Sequence, residues 1–197
     1  MKARTVLALS LLALSVPACA SRPGIRPSSP FSAEHALLFD DSVDYLSSLD
    51  DLGGRLAADF TTQLNSLSRT ADLVAVCRIE TVTVSLDPDG SQSIRLTAAV
   101  TEILRGTAPE ERRVSLRVAQ GQPGYNTVSG RQERLQTGSW ILFVKWYTDS
   151  EGALRAHWHL SPQSPSLERR VREAAGLIPA DGTERVVLIE DNNSTRR

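Results

Sequence analysis

A series of segments rich in β-branched residues, spaced from residue 73 to residue 160, constrains the fold more than any other feature of the chain. Such residues are enriched in strands, and alternation of apolar and polar residues indicates a strand with one buried face. An acidic turn at Asp87–Gly90 separates the first two segments and predicts a hairpin. We therefore expect a mainly β fold of the α+β class. The predicted strands are Leu73–Val84, Ile94–Leu104, Val114–Val118, Trp140–Val144 and Leu154–Leu160.

Helical patterns flank these strands. Before them, apolar residues recur at intervals of three and four, which is typical of an amphipathic helix that packs on a core. We expect Gly53-Gly54 to interrupt this helix, because a glycine inside a helix costs about 1 kcal/mol relative to alanine. Ser32 is expected to cap an earlier segment that runs to Leu46, and Ser166 to cap a short helix at Pro165–Ala175. The apolar positions of the longer helix are Leu49, Leu52, Leu56, Phe60, Leu64 and Leu67.

This pattern predicts one folded unit that begins with a helical segment and ends in a polar tail. We expect residues 32–70 to be helical, residues 71–190 to form the strand domain with its C-terminal helix, and residues 191–197 to be a polar tail. Within the domain, Gly121–Gly138 contains four glycines and a proline and is expected to be a surface loop that carries binding contacts.

The charge balance excludes one class of partner. The chain has 22 basic and 23 acidic residues, a formal net charge of −1 and no long block of like charges. Binding to nucleic acid depends on a basic patch that neutralises phosphates. No nucleic-acid partner is therefore expected.

The N-terminus has the pattern of an export signal. Lys2 and Arg4 precede the largely apolar run Thr5–Val16. A run of about a dozen residues is too short to cross a hydrocarbon core of about 30 Å, which needs about 20 helical residues. We therefore expect export without a transmembrane helix.

The end of this run, Val16-Pro17-Ala18-Cys19, resembles the signal of bacterial lipoproteins. The resemblance implies that residues 1–18 are removed and that Cys19 receives acyl chains such as palmitate and anchors the protein in a membrane. Residues 19–31, rich in proline and serine, would then be a tether. Ala20 stands where an inner-membrane retention signal would have aspartate, which implies the outer membrane of the cell envelope.

Two alternatives remain for the cysteines. Ala18-Cys19-Ala20 also fits an ordinary signal peptidase, which would cut before Ser21 and release a soluble protein. Cys77 lies in an apolar strand segment and is expected to be a buried thiol. A disulfide with Cys19 and a reactive nucleophile are the other possibilities for Cys77.

The strand region also resembles a second family. The segment Val100–Gly106 reads Val-Thr-Glu-x-Leu-x-Gly, and Gly138 begins a Gly-x-x-x-Leu-Phe segment. Together with the acidic turn, this pattern is similar to exported domains related to tissue inhibitors of metalloproteinases and netrin modules. The resemblance implies a small OB-like antiparallel barrel that binds ligands on one face and its loops. It also makes a protease inhibitor an alternative function. An acylated Cys19, however, could not chelate a protease zinc as the animal inhibitors do.

The candidate binding residues are His157, Trp158 and His159. On a strand the two imidazoles share one face, a spacing that suits a metal pair. A metal site would need further ligands, which only His35 or carboxylates such as Asp149 and Glu151 could supply. We therefore expect no metal site and no cofactor.

No catalytic signature accompanies these residues. The sequence contains no nucleophile elbow, zinc-protease helix, P-loop or dinucleotide-binding loop. We expect an acyl-anchored envelope lipoprotein with a non-catalytic binding or structural role, whose partner is a protein or glycan of the cell envelope. An enzyme with a site assembled from scattered residues is the alternative.

Overall fold

The computed structural model describes residues 25–48, 52–87 and 89–179. The expected signal peptide, Cys19 and the polar tail lie outside these residues. The helices are α1 (Ala33–Leu38), α2 (Gly54–Thr70), α3 (Tyr125–Val128), α4 (Gln132–Thr137) and α5 (Pro165–Ala174). The strands are β1 (Ser42–Val43), β2 (Leu73–Leu86), β3 (Gln92–Gly106), β4 (Arg113–Ala119), β5 (Ser139–Thr148) and β6 (Leu154–Pro162).

The six strands form one sheet in the order β1-β6-β5-β2-β3-β4, curled into a half-barrel. All neighbouring pairs are antiparallel except β1 and β6, which run parallel. The predicted strands correspond to β2 through β6, and the hairpin β2–β3 turns at the expected acidic segment. The mainly β, α+β class is therefore confirmed, with a helix before the sheet and a short helix after it.

Each face of the sheet packs against a separate apolar cluster, because side chains alternate along a strand. The inner face joins residues of all six strands, including Trp140, Trp146 and Trp158, with Val128 of α3 and Leu135 of α4. The outer face is covered by α2 and α5, whose buried residues include Leu64, Leu67, Leu167 and Val171. The strongly apolar β5 is buried because it lies mid-sheet with helices on one face and the barrel interior on the other.

The helix predictions hold only in part. Ser32 caps α1 as expected, but the helix ends at Leu38 and does not reach Leu46, since the chain then adds β1 to the sheet. The long amphipathic helix starts at Gly54, the second glycine of the predicted break. The cap of α5 is Ser164 and not Ser166, because the Ser164 hydroxyl accepts a hydrogen bond from the Leu167 amide at 3.3 Å.

The segment Gly121–Gly138 is not a long loop. It forms α3 and α4, and the side chains of Val128 and Leu135 are fully buried in the inner core. The glycine at 124 lies against the backbone of Asp41, where an added Cβ would be 2.0 Å from the carbonyl oxygen. The segment therefore closes one end of the half-barrel and packs on the N-terminal part of the chain.

Candidate functional site: a groove beside the N-terminal strap

Residues 28–45, here called the strap, cross the edge of β6 before α2 begins. The two-residue strand β1 pairs with His159 and Leu160 in parallel register. On either side of it, the Asp41 amide donates to the Trp158 carbonyl and the Asp44 amide donates to the Leu160 carbonyl, both at 3.0 Å. The strap therefore satisfies the edge of β6 and forms part of the folded domain.

His159 is held between two strap carboxylates. Its Nδ1 lies 3.1 Å from Asp40 Oδ1, and its Nε2 lies 3.2 Å from Asp44 Oδ2. Both carboxylates are positioned further by serines, since Ser42 donates to Asp40 and Ser161 donates to Asp44, each at 2.6 Å. An imidazole with both nitrogens facing carboxylates is stabilised in its doubly protonated form.

The pKa values reflect this arrangement. Burial alone would lower the pKa of His159, but the hydrogen bonds to Asp40 and Asp44 outweigh burial and raise the pKa to about 9. Burial alone would raise the pKa of Asp40, and the hydrogen bonds from His159 and Ser42 outweigh it and keep that pKa below its usual value. His159 is therefore a buried cation that fixes the strap to the sheet.

We expect the free energy of unfolding to fall by about 3 kcal/mol as the pH rises from about 6.5 to about 9. Because the pKa of folded His159 is raised to about 9, the protonated ring stabilises the fold fully below the unfolded pKa. That stabilisation is lost as the pH passes through the folded pKa. Urea unfolding at several pH values measures this slope. His159→Gln should flatten it, and an equal slope in the variant would contradict the assignment to His159.

His157 makes a second contact with the strap. Its Nδ1 lies 2.9 Å from Asp41 Oδ2, and its ring stacks on Phe31 and on Tyr147 with centroid distances of 4.3 and 4.6 Å. Asp41 also accepts the backbone amide of Trp158 at 3.1 Å. Burial raises the pKa of Asp41 despite its hydrogen bond with His157. The two histidines therefore share one face of β6, as predicted, and both bind aspartates of the strap.

A buried ion pair fixes the start of the strap. Lys145 Nζ lies 3.0 Å from Asp72 Oδ1, and the two side chains are 1% and 5% exposed. Ser28 donates to the same carboxylate and accepts from Lys145, while Asp72 Oδ2 accepts the Trp146 amide at 2.9 Å. A lysine inside the most apolar strand is tolerated because every one of these polar groups has a partner.

A groove of about 850 Å³ opens next to the strap, between β4 and the β5–β6 hairpin. Arg113, Ser115 and Arg117 form one wall, and Trp146, Leu154 and Ala156 belong to the other. Sites for ligands commonly have volumes of about 300–1,000 Å³. At one end, the Trp158 indole donates to the Arg117 carbonyl at 3.1 Å and connects the two walls.

One polar atom in the groove lining has no partner among the residues that the structure describes. Trp146 is 6% exposed, and its Nε1 is buried without a hydrogen bond. The other two tryptophans differ, because Trp140 donates to the Leu135 carbonyl and Trp158 to the Arg117 carbonyl. A buried donor without an acceptor costs about 1–3 kcal/mol, so an acceptor that reached this indole would stabilise the site.

Comparisons with known proteins found no match to this chain. No protein-family model, curated protein or solved structure matches the chain. Within the described residues, no helix has both the length and the apolar character needed to span a bilayer. The functional interpretation therefore depends on this chain's own residues and geometry.

The predicted binding residues have different positions. His157 lines the groove, whereas Trp158 and His159 are buried and face the core and the strap. In the part of the chain that the structure describes, no group of three or more side chains suited to a metal comes together. Cys77 is a free buried thiol, as expected, and burial raises its pKa to about 12, which makes it a poor nucleophile.

Sequence analysis missed the aspartates that hold the strap. Asp40, Asp41 and Asp44 stand close together before α2, and this local concentration of acid was a usable signal. It did not identify the partners, which lie about 115 residues later in the chain. Lys145 gave a further signal, since a lysine next to an apolar strand segment requires a buried acid or an exposed end.

Proposed function

We propose that the protein is an acyl-anchored lipoprotein of the bacterial cell envelope, bound to the outer membrane through Cys19, whose curled-sheet domain binds another envelope component without catalysis. The observation that supports binding most directly is the groove between β4 and the β5–β6 hairpin, with the unpartnered indole of Trp146 in its lining.

The anchor is supported by the sequence around Cys19. An apolar run too short to span a bilayer ends in a small residue followed by the cysteine. Each buried methylene of an acyl chain contributes about 0.8 kcal/mol, so two or more chains convert marginal attachment into stable anchoring. The acylated N-terminus then precedes the strap by few residues. The ion pairs of the strap hold it on the domain, so the strap connects the domain to the anchor.

Binding is favoured over catalysis because several charged groups at the groove pair with one another. Arg113 pairs with Glu80 at 2.8 Å, Arg155 with Asp149 at 2.8 Å, and His157 with Asp41 at 2.9 Å. A general acid or base needs a titratable group that can reach a substrate. These groups are instead engaged with one another and present polar contacts at the groove, which suit recognition.

Site-specific photo-crosslinking in living cells tests the binding role. A photoreactive amino acid replaces Leu154, which is 40% exposed and lines the groove. The matched control replaces Thr62, an exposed residue of α2 away from the groove. We expect a discrete adduct from position 154 and none from position 62, and the adduct's mass separates a protein from a glycan.

Two outcomes would contradict the proposal. The absence of an adduct at position 154 would remove the binding role of the groove. The same set of adducts at positions 154 and 62 would show collision without recognition. Wild-type levels of both variants in the membrane fraction serve as the control for folding and export.

A further inference from the structure

We propose that the protein forms a two-fold dimer, in which the free edge of β2 over Thr81–Leu86 pairs with the same edge of a second copy. The inference goes beyond the proposed function and does not depend on the groove. A free strand edge presents unpaired N–H and C=O groups and is a template for pairing with another chain.

The distal half of β2 has a neighbouring strand on one side. β5 pairs with β2 from Leu73 to Arg78. Just beyond this point α4 reaches the edge, where the Glu80 carbonyl accepts a hydrogen bond from the Gln136 side chain at 3.5 Å. From Thr81 to Leu86, β3 is the one strand of the described residues that pairs with β2. The other side of this stretch is therefore a free edge.

The register with β3 shows which main-chain groups lie on the free edge. The Asp87 amide donates to the Ser91 carbonyl at 2.8 Å, so Asp87 faces β3. N–H and C=O groups alternate between the two sides of an antiparallel strand, and the pairing with β3 is regular over this stretch. Val82, Val84 and Leu86 therefore direct their main-chain groups to the free side.

The same three residues carry apolar side chains. Val82 packs against the inner core, whereas Val84 is 49% and Leu86 72% exposed. Natural proteins commonly protect a free edge with charged residues or proline, but neither occurs between Thr81 and Leu86. The edge therefore has the composition of a strand that another strand covers.

A second copy of the chain matches this edge. In a two-fold antiparallel pairing centred on Val84, this residue lies opposite its counterpart, and Val82 lies opposite Leu86 of the partner subunit. On the other face, Thr83 lies opposite Ser85 of the partner subunit. Apolar side chains thus meet apolar ones and hydroxyls meet hydroxyls, and such cross-strand pairs stabilise a sheet.

The charges next to the edge favour this register over its neighbour. Asp87 lies opposite Thr81 of the partner subunit, so no two charged residues oppose each other. A pairing centred one residue earlier would place Leu86 opposite Glu80, a carboxylate that already pairs with Arg113 at 2.8 Å. The edge is therefore complementary to itself in one register, which selects a second copy as the occupant.

The dimer is expected to be weak and reversible. One short stretch of strand from each copy buries less surface than a standard interface of about 1,600 Å². Copies held in one membrane, as in the proposed function, would meet at a higher effective concentration. We therefore expect association to depend on concentration.

Sedimentation equilibrium of the full mature protein, in a detergent matched to the solvent density, tests the inference. We expect a monomer–dimer equilibrium in the wild-type protein. Val84→Pro removes a free-side N–H and leaves the ladder with β3 intact, because edge strands tolerate proline on their free side. This variant should dimerise at least about tenfold more weakly, whereas Val84→Ile, which keeps the N–H and a branched apolar side chain, should stay within about threefold of wild type. Thermal unfolding of both variants checks that they fold.

Disulfide cross-linking tests the same register in membranes. Directly opposite residues of a hydrogen-bonded pair have Cα atoms about 5.5 Å apart, a separation that a disulfide can bridge. Val84→Cys should therefore give a linked dimer under mild oxidation. The matched control is Thr62→Cys, at an exposed position of α2, which should remain monomeric. Equal yields of linked dimer from the two variants would show random collision and would contradict the pairing.

Hydrogen exchange of the wild-type protein gives a readout that requires no variant. Raising the protein concentration should slow exchange at the amides of Val82, Val84 and Leu86 and leave those of Thr83 and Ser85, already paired with β3, unchanged.

Three results would each overturn the dimer. They are a monomer at every concentration, association of Val84→Pro equal to that of wild type, and exchange at the free-side amides that is already slow in the monomer. The last result would show that another segment of the chain covers the edge. None of them bears on the adduct at position 154, so the dimer and the proposed function are tested separately.

Discussion

Replacing Cys19 by serine is expected to move the protein almost completely from the membrane fraction to the soluble fraction. The serine hydroxyl cannot form the thioether that would carry the proposed diacylglyceryl group, so the proposed acyl chains and their methylene burial of about 0.8 kcal/mol each would be lost. The altered Ala-Ser-Ala segment still fits an ordinary signal peptidase, so export should continue. Fractionation of cells, followed by a high-salt wash of the membranes, measures the shift.

Cys77→Ala is the matched control for this prediction. It removes the other cysteine, which is fully buried on β2, and should leave the protein in the membrane fraction. A Cys19→Ser protein that remains bound to membranes after the salt wash would contradict acylation as the anchor. Release of the Cys77→Ala protein would show that the assay reports misfolding.

Lys145→Met is expected to lower the free energy of unfolding by about 3–5 kcal/mol, the largest effect we expect from a single substitution in the domain. The change leaves the Asp72 carboxylate buried at 5% exposure without its cation. Part of the loss should return in the double variant Lys145→Met/Asp72→Asn, because the amide is neutral and can still accept the Trp146 amide. Urea unfolding of the four proteins gives the coupling between the two residues.

Arg155→Met provides the control for a surface pair. Arg155 lies 2.8 Å from Asp149, but its side chain is 56% exposed, and such pairs contribute about 0–1 kcal/mol. A loss for Lys145→Met as small as that for Arg155→Met would contradict the view that the buried pair fixes the strap. Independent, additive effects of the Lys145 and Asp72 changes would contradict it as well.

The strands could be predicted from sequence because each one carries its own local signal. Val114, Leu116 and Val118 alternate with exposed residues along β4, and all three are buried in the inner core. The β5 segment is apolar at nearly every position because both of its faces are covered. Local pattern and tertiary environment agree in these strands, so little beyond periodicity was needed.

The strap could not be predicted in the same way, because its structure depends on distant partners. Residues after Leu38 leave the helical pattern through Asp41, which has a φ of 55°, and the short β1 exists only by pairing with β6. Two strand residues carry almost no periodic signal. Ser166 illustrates a smaller error, since proline at the first helical position places the cap directly before Pro165, at Ser164, two residues earlier than predicted.

The groove was predicted only in outline. The sequence indicated a binding face and named His157, which does line it, but the walls come from strands far apart in the chain. The position of Ser115 in one wall depends on the register of β4 with β3, and the burial of the Trp146 indole N–H depends on the strands that surround it. Neither property is encoded in a local pattern.

The most direct test of the account is the mass of the N-terminal peptide of the mature protein, isolated from purified membranes. Anchoring through Cys19 predicts a peptide that begins at Cys19 and carries the added mass of a diacylglyceryl group, with or without a further acyl chain on its amine. A peptide that begins at an unmodified Ser21, or at a Cys19 without acyl chains, would contradict the central claim.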